Sequence, residues 1–295
     1  MKNSSRMTLL VCSCDSYEDL WFPFFKLLKK NWPELNTRIV LNTETKKFNY
    51  TGLNIETLNT NMNYKRNTYG ERMIKHLERI DTEYIFLMLD DFFLRDSVDE
   101  TLIDEYIDIL DNDSTLATIN FDPNNRGGAE TSDFRLKELP RVAPYKLNMQ
   151  AGIWRKEALI KYWSDLDSPW QWEIFGNYQT FDGKDRFYHI KDKQFSPINY
   201  GLRKGGWAVY RGKWVKDDVE TLFSENDIEI DYDIRGVFDN DSTALFSDKN
   251  TLLKYLLRRL KFSQLCSFIF FKLFKKIGFH KKYRTHTDYL SRKNN

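Results

Sequence analysis

The sequence predicts an α/β protein, with a Rossmann-like, mostly parallel sheet followed by a C-terminal amphipathic helical tail. Three observations carry this. Apolar runs of strand length alternate with segments of helical period through the first half of the 295 residues. The most hydrophobic of these runs, Tyr84–Leu89, stops at Asp90-Asp91, as a buried parallel strand stops at a polar sheet edge. The composition then changes abruptly near residue 248, where a basic, Leu- and Phe-rich segment begins.

The elements follow in order. Met7–Cys14 is an apolar run of strand length, and Asp15-Ser16 is placed to cap a helix from Tyr17 to Lys30. Leu20, Phe24, Leu27 and Leu28 share one face of that helix, Trp32-Pro33 ends it, and Pro23 weakens its opening turns. Arg38–Leu41 and Asn54–Leu58 read as short strands. Met73, Ile74 and Leu77 set a helix over Tyr69–Ile80. After the strand Tyr84–Leu89, Val98–Leu110 is helical and Leu116–Asn120 extended, and this alternation argues for a mostly parallel, doubly wound sheet. Asp122–Arg141 is polar and Gly-containing, and reads as a loop. Beyond it the pattern predicts an extended Tyr145–Ile153, a helix over Lys156–Trp163, and a helix from Trp170 to Tyr178 opened by Ser168-Pro169. Asn199–Gly212 is strand-like and Val215–Phe223 a short helix, while Glu225–Asp248 has no clear period.

Composition narrows the function. Three cysteines build no disulfide framework, and Cys12 and Cys14 are too close in sequence to bridge. There is no CxxC, His/Cys cluster, P-loop, GxSxG elbow or HExxH, so zinc-site, kinase, esterase and zincin readings lack support. The N-terminal apolar stretch meets Asp15 too early for a signal peptide, and a reducing cytoplasm is expected. Aromatic residues make up 16% of the chain, which suits sugar-stacking clefts but equally an aromatic core.

The candidate chemistry begins at Asp90-Asp91. Acids at the carboxyl end of a parallel strand lie where open α/β sheets bind ligands. A divalent cation (Mn²⁺ or Mg²⁺) held there with substrate phosphates would neutralise a leaving diphosphate. Adjacent side chains on an extended chain point to opposite faces, so only one of the two is an easy direct ligand. Arg72, on a predicted helix, and Arg66 just before it compete as phosphate or base contacts. Glu173, just after Trp170 and Trp172, is the candidate catalytic base, because rings nearby would desolvate and strengthen it. Asp182 and Asp185 are weaker candidates in a polar loop. The segments Arg203-Lys204-Gly205-Gly206-Trp207 and Arg211-Gly212-Lys213-Trp214 pair cations with glycines, as a loop closing over a diphosphate would.

Taken together, the strand Leu9–Cys14 with Asp15-Ser16-Tyr17, Arg72 and the run Leu87–Leu94 resemble the donor-binding half of glycosyltransferases of the A-type fold. More narrowly they resemble the group encoded in bacterial capsule and O-antigen loci. Asn148-Met149-Gln150-Ala-Gly-Ile-Trp154, Trp170-Gln171-Trp172-Glu173 and Gly212-Lys213-Trp214 extend the likeness over about residues 7–215. The family's usual metal motif is Asp-x-Asp, whereas the acids here are adjacent, which bears on metal dependence. The resemblance implies that Ser13, Asp15 and Tyr17 hold the nucleoside, with Asn42 and Thr43 beside it. Arg66, Arg72, Asp90 and Lys213 complete the donor site, and Gln150, Trp170 and Trp172 meet the acceptor. The expected metal ligands are Asp91 and Asp90, and the expected catalytic residues Asp91 and Glu173, with the inverting course resting on Glu173 alone.

The net charge of +2 hides a division. Residues 249–295 contain thirteen Lys or Arg and one acid, Asp288, a balance of +12, which leaves the rest at −10. The apolar run Phe262–Phe271 is far short of the ~20 residues a spanning helix needs. Such a segment suits the interface of an anionic leaflet, and its apolar face is too long for a nucleic-acid-binding arm. The expected organisation is a catalytic domain over 1–247 and a membrane-associating tail over 248–295. The expected activity is transfer from a UDP-linked sugar to a polyprenyl-linked or oligosaccharide acceptor in surface-polysaccharide synthesis, at the inner face of the plasma membrane. A sugar nucleotidyltransferase and a membrane-tethered carbohydrate-binding protein are the rivals; the former would show a Gly-rich basic motif after the first strand, which Cys14-Asp15-Ser16-Tyr17 is not.

Overall fold

In a computed structural model, the chain is described over residues 1–58, 69–123, 127–141, 143, 145–181, 183–200 and 208–238, and at 257, 260–262, 264–266 and 269 in the tail. The expected alternation is present: β1 (Met7–Cys12), α1 (Glu18–Asn31), β2 (Arg38–Asn42), β3 (Ile55–Thr57), α2 (Tyr69–Arg79), β4 (Tyr84–Leu89), α3 (Glu100–Asp111) and β5 (Leu116–Asn120). Then follow β6 (Ala129–Glu130), β7 (Leu136–Glu138), β8 (Gly152–Arg155), α4 (Lys156–Tyr162), α5 (Pro169–Phe175), β9 (Arg186–Ile190), β10 (Val209–Tyr210), β11 (Lys213–Trp214) and α6 (Lys216–Ser224).

One nine-stranded sheet has the order β3-β2-β1-β4-β8-β5-β9-β7-β6. The pairs β2–β3, β1–β2, β1–β4 and β5–β9 are parallel, while β8 runs against both β4 and β5, and β7 against β9 and β6. Seven strands therefore share one direction and two oppose it, the mostly parallel sheet the sequence predicts. Period-two alternation divides the core between the faces. Leu9, Val11, Phe86 and Met88 pack with α1 and α3 on one side. Leu10, Ile85 and Leu87 pack with α2, α4 and Trp172 on the other.

Several elements differ from expectation. The loop Asp122–Arg141 contains β6 and β7, and the region before β8 is a series of bends rather than extended chain. Strand β9 has no counterpart in the sequence reading; it is a buried strand fixed by pairing with β5 and β7. The first helix starts at Glu18, after a 3-10 turn over Asp15–Tyr17, so Asp15 does not cap it. The helix expected from Trp170 opens at Pro169, where Ser168 and Gln171 form a reciprocal capping box. In the tail, Leu260 and Gln264 are buried, whereas Leu257, Phe262 and Ile269 are exposed. Among the described residues no helix is long and apolar enough to cross a membrane.

Candidate active site

The two edges of the sheet are electrostatically different. At the amino edge, acids are matched by arginines: Arg6 forks onto Asp111 with both contacts at 2.7 Å, and Arg155 pairs with Glu83 at 3.1 Å. At the carboxyl edge, the register Cys12↔Leu89 brings the ends of β1 and β4 level, and Ser13 then lies beside Asp90. The Ser13 hydroxyl donates to Asp90 and accepts from the Trp21 indole at 2.7 Å. The Asp91 carboxylate accepts the Val209 N–H, and its backbone carbonyl accepts from Ala208 at 3.4 Å. Both acids are buried, 4% and 8% exposed, and no Lys or Arg lies within ion-pair distance of either among the described residues. Burial pushes the Asp91 carboxyl up to about 7. Burial and the neighbouring Asp91 charge push Asp90 well above the carboxylate range.

This pair fits a hard divalent cation. Its oxygens lack the cationic partner that burial calls for, and Mg²⁺-type ions commonly take two carboxylates with phosphate and water completing the set. No group of three or more His, Cys, Asp and Glu with metal-site geometry exists among the described residues.

On the side of β2, several expected donor contacts are committed internally. Asp15 accepts from the backbone N–H groups of Glu44 (3.0 Å) and Lys46 (3.2 Å), and from the N–H and hydroxyl of Thr45. It is a clasp on the loop after β2 rather than an open ligand. Arg72 is 4% exposed; it donates to the Ser13 carbonyl at 2.8 Å, pairs with Glu44 and stacks on Tyr69. Its fork joins α2 to the loops after β1 and β2, which leaves a phosphate no access to it. Asn42 is fully buried against Met73, with its Oδ1 unpartnered, and the Thr43 hydroxyl caps the carbonyl of Lys46. Tyr17 is partly exposed beside the carboxylates. Its hydroxyl is pushed up to about 12, by burial first and then by the Asp90 and Asp91 charges. Lys213 is exposed in β11. Arg66, Asp182 and the segment 203–207 lie outside the described residues.

On the side of β8 a chain of contacts leads away from Asp91. Phe92 stacks on Tyr200 with ring centroids 4.4 Å apart, and the Tyr200 hydroxyl donates to Gln150 Oε1 at 3.1 Å. Next to Gln150, the Met149 N–H donates to Glu173 Oε1 at 2.7 Å. Glu173 thus reaches the carboxyl edge from α5. Trp170, 59% exposed, offers an open ring. Trp172 does not: it is fully buried, stacks on Trp163 at 4.5 Å and 2°, and donates to the Tyr162 carbonyl at 2.9 Å. It is a core residue with no face for a sugar. Asp185 is held by Tyr162 and Lys161 at 2.6 and 2.8 Å, which leaves it a structural role.

Sequence reasoning missed Trp21, Tyr200 and Arg235. Arg235 forks onto Asp19, donates to the Gly212 carbonyl at 3.1 Å, and lies over the Tyr17 ring at 4.5 Å. It sits in the aperiodic stretch after α6, where no pattern marks it.

No protein-family model matches the chain, and no curated protein does. Among solved structures, S. aureus TarS 1-349 in complex with UDP is similar over 62% of this chain and 60% of that one, at 16% identity and a TM-score of 0.40. A galactosyltransferase, LgtC, in complex with donor and acceptor sugar analogs is similar over 52% of this chain and 60% of that one, at 15% identity and a TM-score of 0.34. A cytidylyltransferase from Leptospira borgpetersenii is similar over 82% of this chain and 100% of that one, at 13% identity and a TM-score of 0.38. The chain spans 37% of a longer TarS chain.

Proposed function

We propose that this protein transfers a sugar from a UDP-linked donor to a polyprenyl-linked or oligosaccharide acceptor, with inversion at the anomeric carbon, in cell-surface polysaccharide synthesis. The observation that supports this best is the buried pair Asp90 and Asp91, without an ion pair among the described residues, at the carboxyl edge of the sheet. The Ser13–Tyr17 loop flanks it on one side and Gln150 and Glu173 on the other. Asp90 and Asp91 would hold a divalent cation, which when bound offsets charge on the diphosphate leaving group.

The chain's own groups divide the remaining work. The Ser13 hydroxyl, held by Trp21, fixes one Asp90 oxygen. The Tyr17 ring borders the pocket for the base and ribose. Gln150, oriented by Tyr200, offers its amide to acceptor hydroxyls, and Trp170 offers an apolar ring to a pyranose face. Glu173 takes the acceptor hydroxyl proton as the anomeric carbon is attacked; the Met149 N–H bond fixes one oxygen of its carboxylate. The tail supplies exposed Leu257, Phe262 and Ile269 amid its cations, which suits an anionic membrane surface carrying a lipid-linked acceptor. On this reading residues 1–247 are the catalytic domain and 248–295 the membrane-associating segment.

Calorimetric titration with UDP in the presence and absence of Mn²⁺, followed by UDP-release assays over a panel of nucleotide sugars, tests the reading. Metal-dependent UDP binding and sugar-dependent UDP release support it. Release of pyrophosphate from a nucleoside triphosphate and a sugar phosphate, with no UDP release, would instead establish nucleotidyl transfer.

A further inference from the structure

The hairpin of β10 and β11 turns through Arg211 and Gly212, both with positive φ (53° and 77°), the conformation a two-residue hairpin loop demands. Its first strand sits on the site: Ala208 and Val209 donate to the Asp91 backbone and carboxylate. Its second strand continues outward, because Trp214 exchanges backbone hydrogen bonds with Gly236 (3.0 Å) and Phe238 (2.8 Å). Arg235 lies at that junction. Its Nε donates to Asp19 Oδ2 at 2.7 Å, a second nitrogen meets the other Asp19 oxygen, and a third donates to the Gly212 carbonyl at 3.1 Å. The pair is sequestered, with the Arg235 side chain 6% and the Asp19 side chain 15% exposed. The guanidinium packs on Tyr17 from one side and lies near Trp214 at 5.6 Å.

We propose that Arg235 is a positioning residue of the donor site, which locks the 208–214 hairpin and the Tyr17 ring onto the Asp90–Asp91 edge. The inference rests on the glycosyltransferase reading, and it makes residues 232–238 part of the donor site. One planar fork meets three fixed partners: a carboxylate on α1, a carbonyl in the hairpin turn, and an aromatic face in the loop after β1. A lysine ammonium offers a point charge and cannot meet all three at once. Arg235 contacts no substrate on this account; it sets the distance between the wall that carries Tyr17 and the hairpin that holds Asp91.

The test uses the full-length chain with Arg235→Lys, Arg235→Met, Tyr17→Ala and the double variant Tyr17→Ala/Arg235→Met. Each is assayed at a temperature where its circular dichroism matches wild type. Both Arg235 variants should weaken UDP binding and raise the donor KM by about tenfold, while the acceptor KM and kcat stay within about threefold. The double variant should lose little more than Tyr17→Ala alone, because both changes remove the same wall. An unchanged donor KM in Arg235→Met, equal rises in donor and acceptor KM, or fully additive losses in the double variant would each overturn the proposal. If the wild-type chain takes up no UDP, the functional reading itself fails, an outcome separate from these.

Discussion

Lys146 is the clearest place to test the energetics of this fold. It is 2% exposed, and its ammonium donates to the carbonyls of Arg141 at 2.7 Å and Thr180 at 3.4 Å, above the Phe187 ring at 4.8 Å. Burial, and then the Arg141 charge, bring it from 10.5 down to about 7. A folded-state value below the unfolded one means the unfolded chain binds more protons between pH 7 and 10.5. The associated stability is therefore fully present above 10.5 and is lost as pH falls through 7. At 1.36 kcal/mol per pH unit, the charged form costs the fold about 5 kcal/mol below pH 7. Lys146→Met keeps the alkyl chain and removes the charge, but it leaves two carbonyls without this donor, a loss of about 1–3 kcal/mol. The variant should accordingly be more stable than wild type by about 2–4 kcal/mol at pH 6, and less stable by up to about 2 kcal/mol at pH 10, where about 0.7 kcal/mol of the penalty remains. Urea unfolding of both proteins at matched pH values measures the difference and cancels every other titrating group. A difference that keeps one sign and size from pH 6 to 10 would refute the assignment of a buried, destabilised ammonium.

Asp91→Asn should abolish transfer and at the same time raise the melting temperature at pH 8. The wild-type acid has a folded value of about 7 against 3.8, so the stability it contributes below 3.8 is lost as pH rises through 7. The asparagine escapes that cost, at most about 4 kcal/mol, and a lower melting temperature in the variant would contradict the burial argument. Glu173→Gln should retain UDP affinity and slow transfer by roughly a hundredfold, the scale of a lost general base; unchanged turnover would make the residue structural. Deleting residues 249–295 should leave a folded body that no longer co-sediments with anionic vesicles. High salt should release the full-length chain only in part, because Leu and Phe insertion is not screened; a full-length chain that ignores vesicles at low salt would end the membrane reading.

The half of the fold built from local contrast was legible in the residues. Tyr84–Leu89 and Leu116–Asn120 match their strands end for end; the first is an unbroken apolar run that stops at Asp90-Asp91, and the second is a short stretch rich in apolar and β-branched residues after the polar Asn112–Thr115. Strand β9 was hidden, since Arg186-Phe-Tyr-His-Ile is short, partly polar, and extended only through pairing with strands distant in sequence. Nothing local indicates that β8 runs against its neighbours and brings Gln150 to the edge where Asp90 lies. Trp172 could not be assigned a face from a seven-residue helix, and only the packing against Trp163 and Trp154 decides it. For the same reason Asp15 and Arg72 look like ligands in the sequence, yet Asp15 is bonded to the loop after β2, and Arg72 is buried with its two terminal nitrogens on the Ser13 carbonyl and Glu44.

The hydroxyl of Ser13 has one further consequence. It links the indole N–H of Trp21, in the core, to a carboxylate at the reactive edge through two short hydrogen bonds. Any event that changes the charge on Asp90 alters the polarity felt by a buried fluorophore on α1. The Trp21 share of the emission is therefore expected to respond to the charge on Asp90, and Ser13→Ala to remove that response.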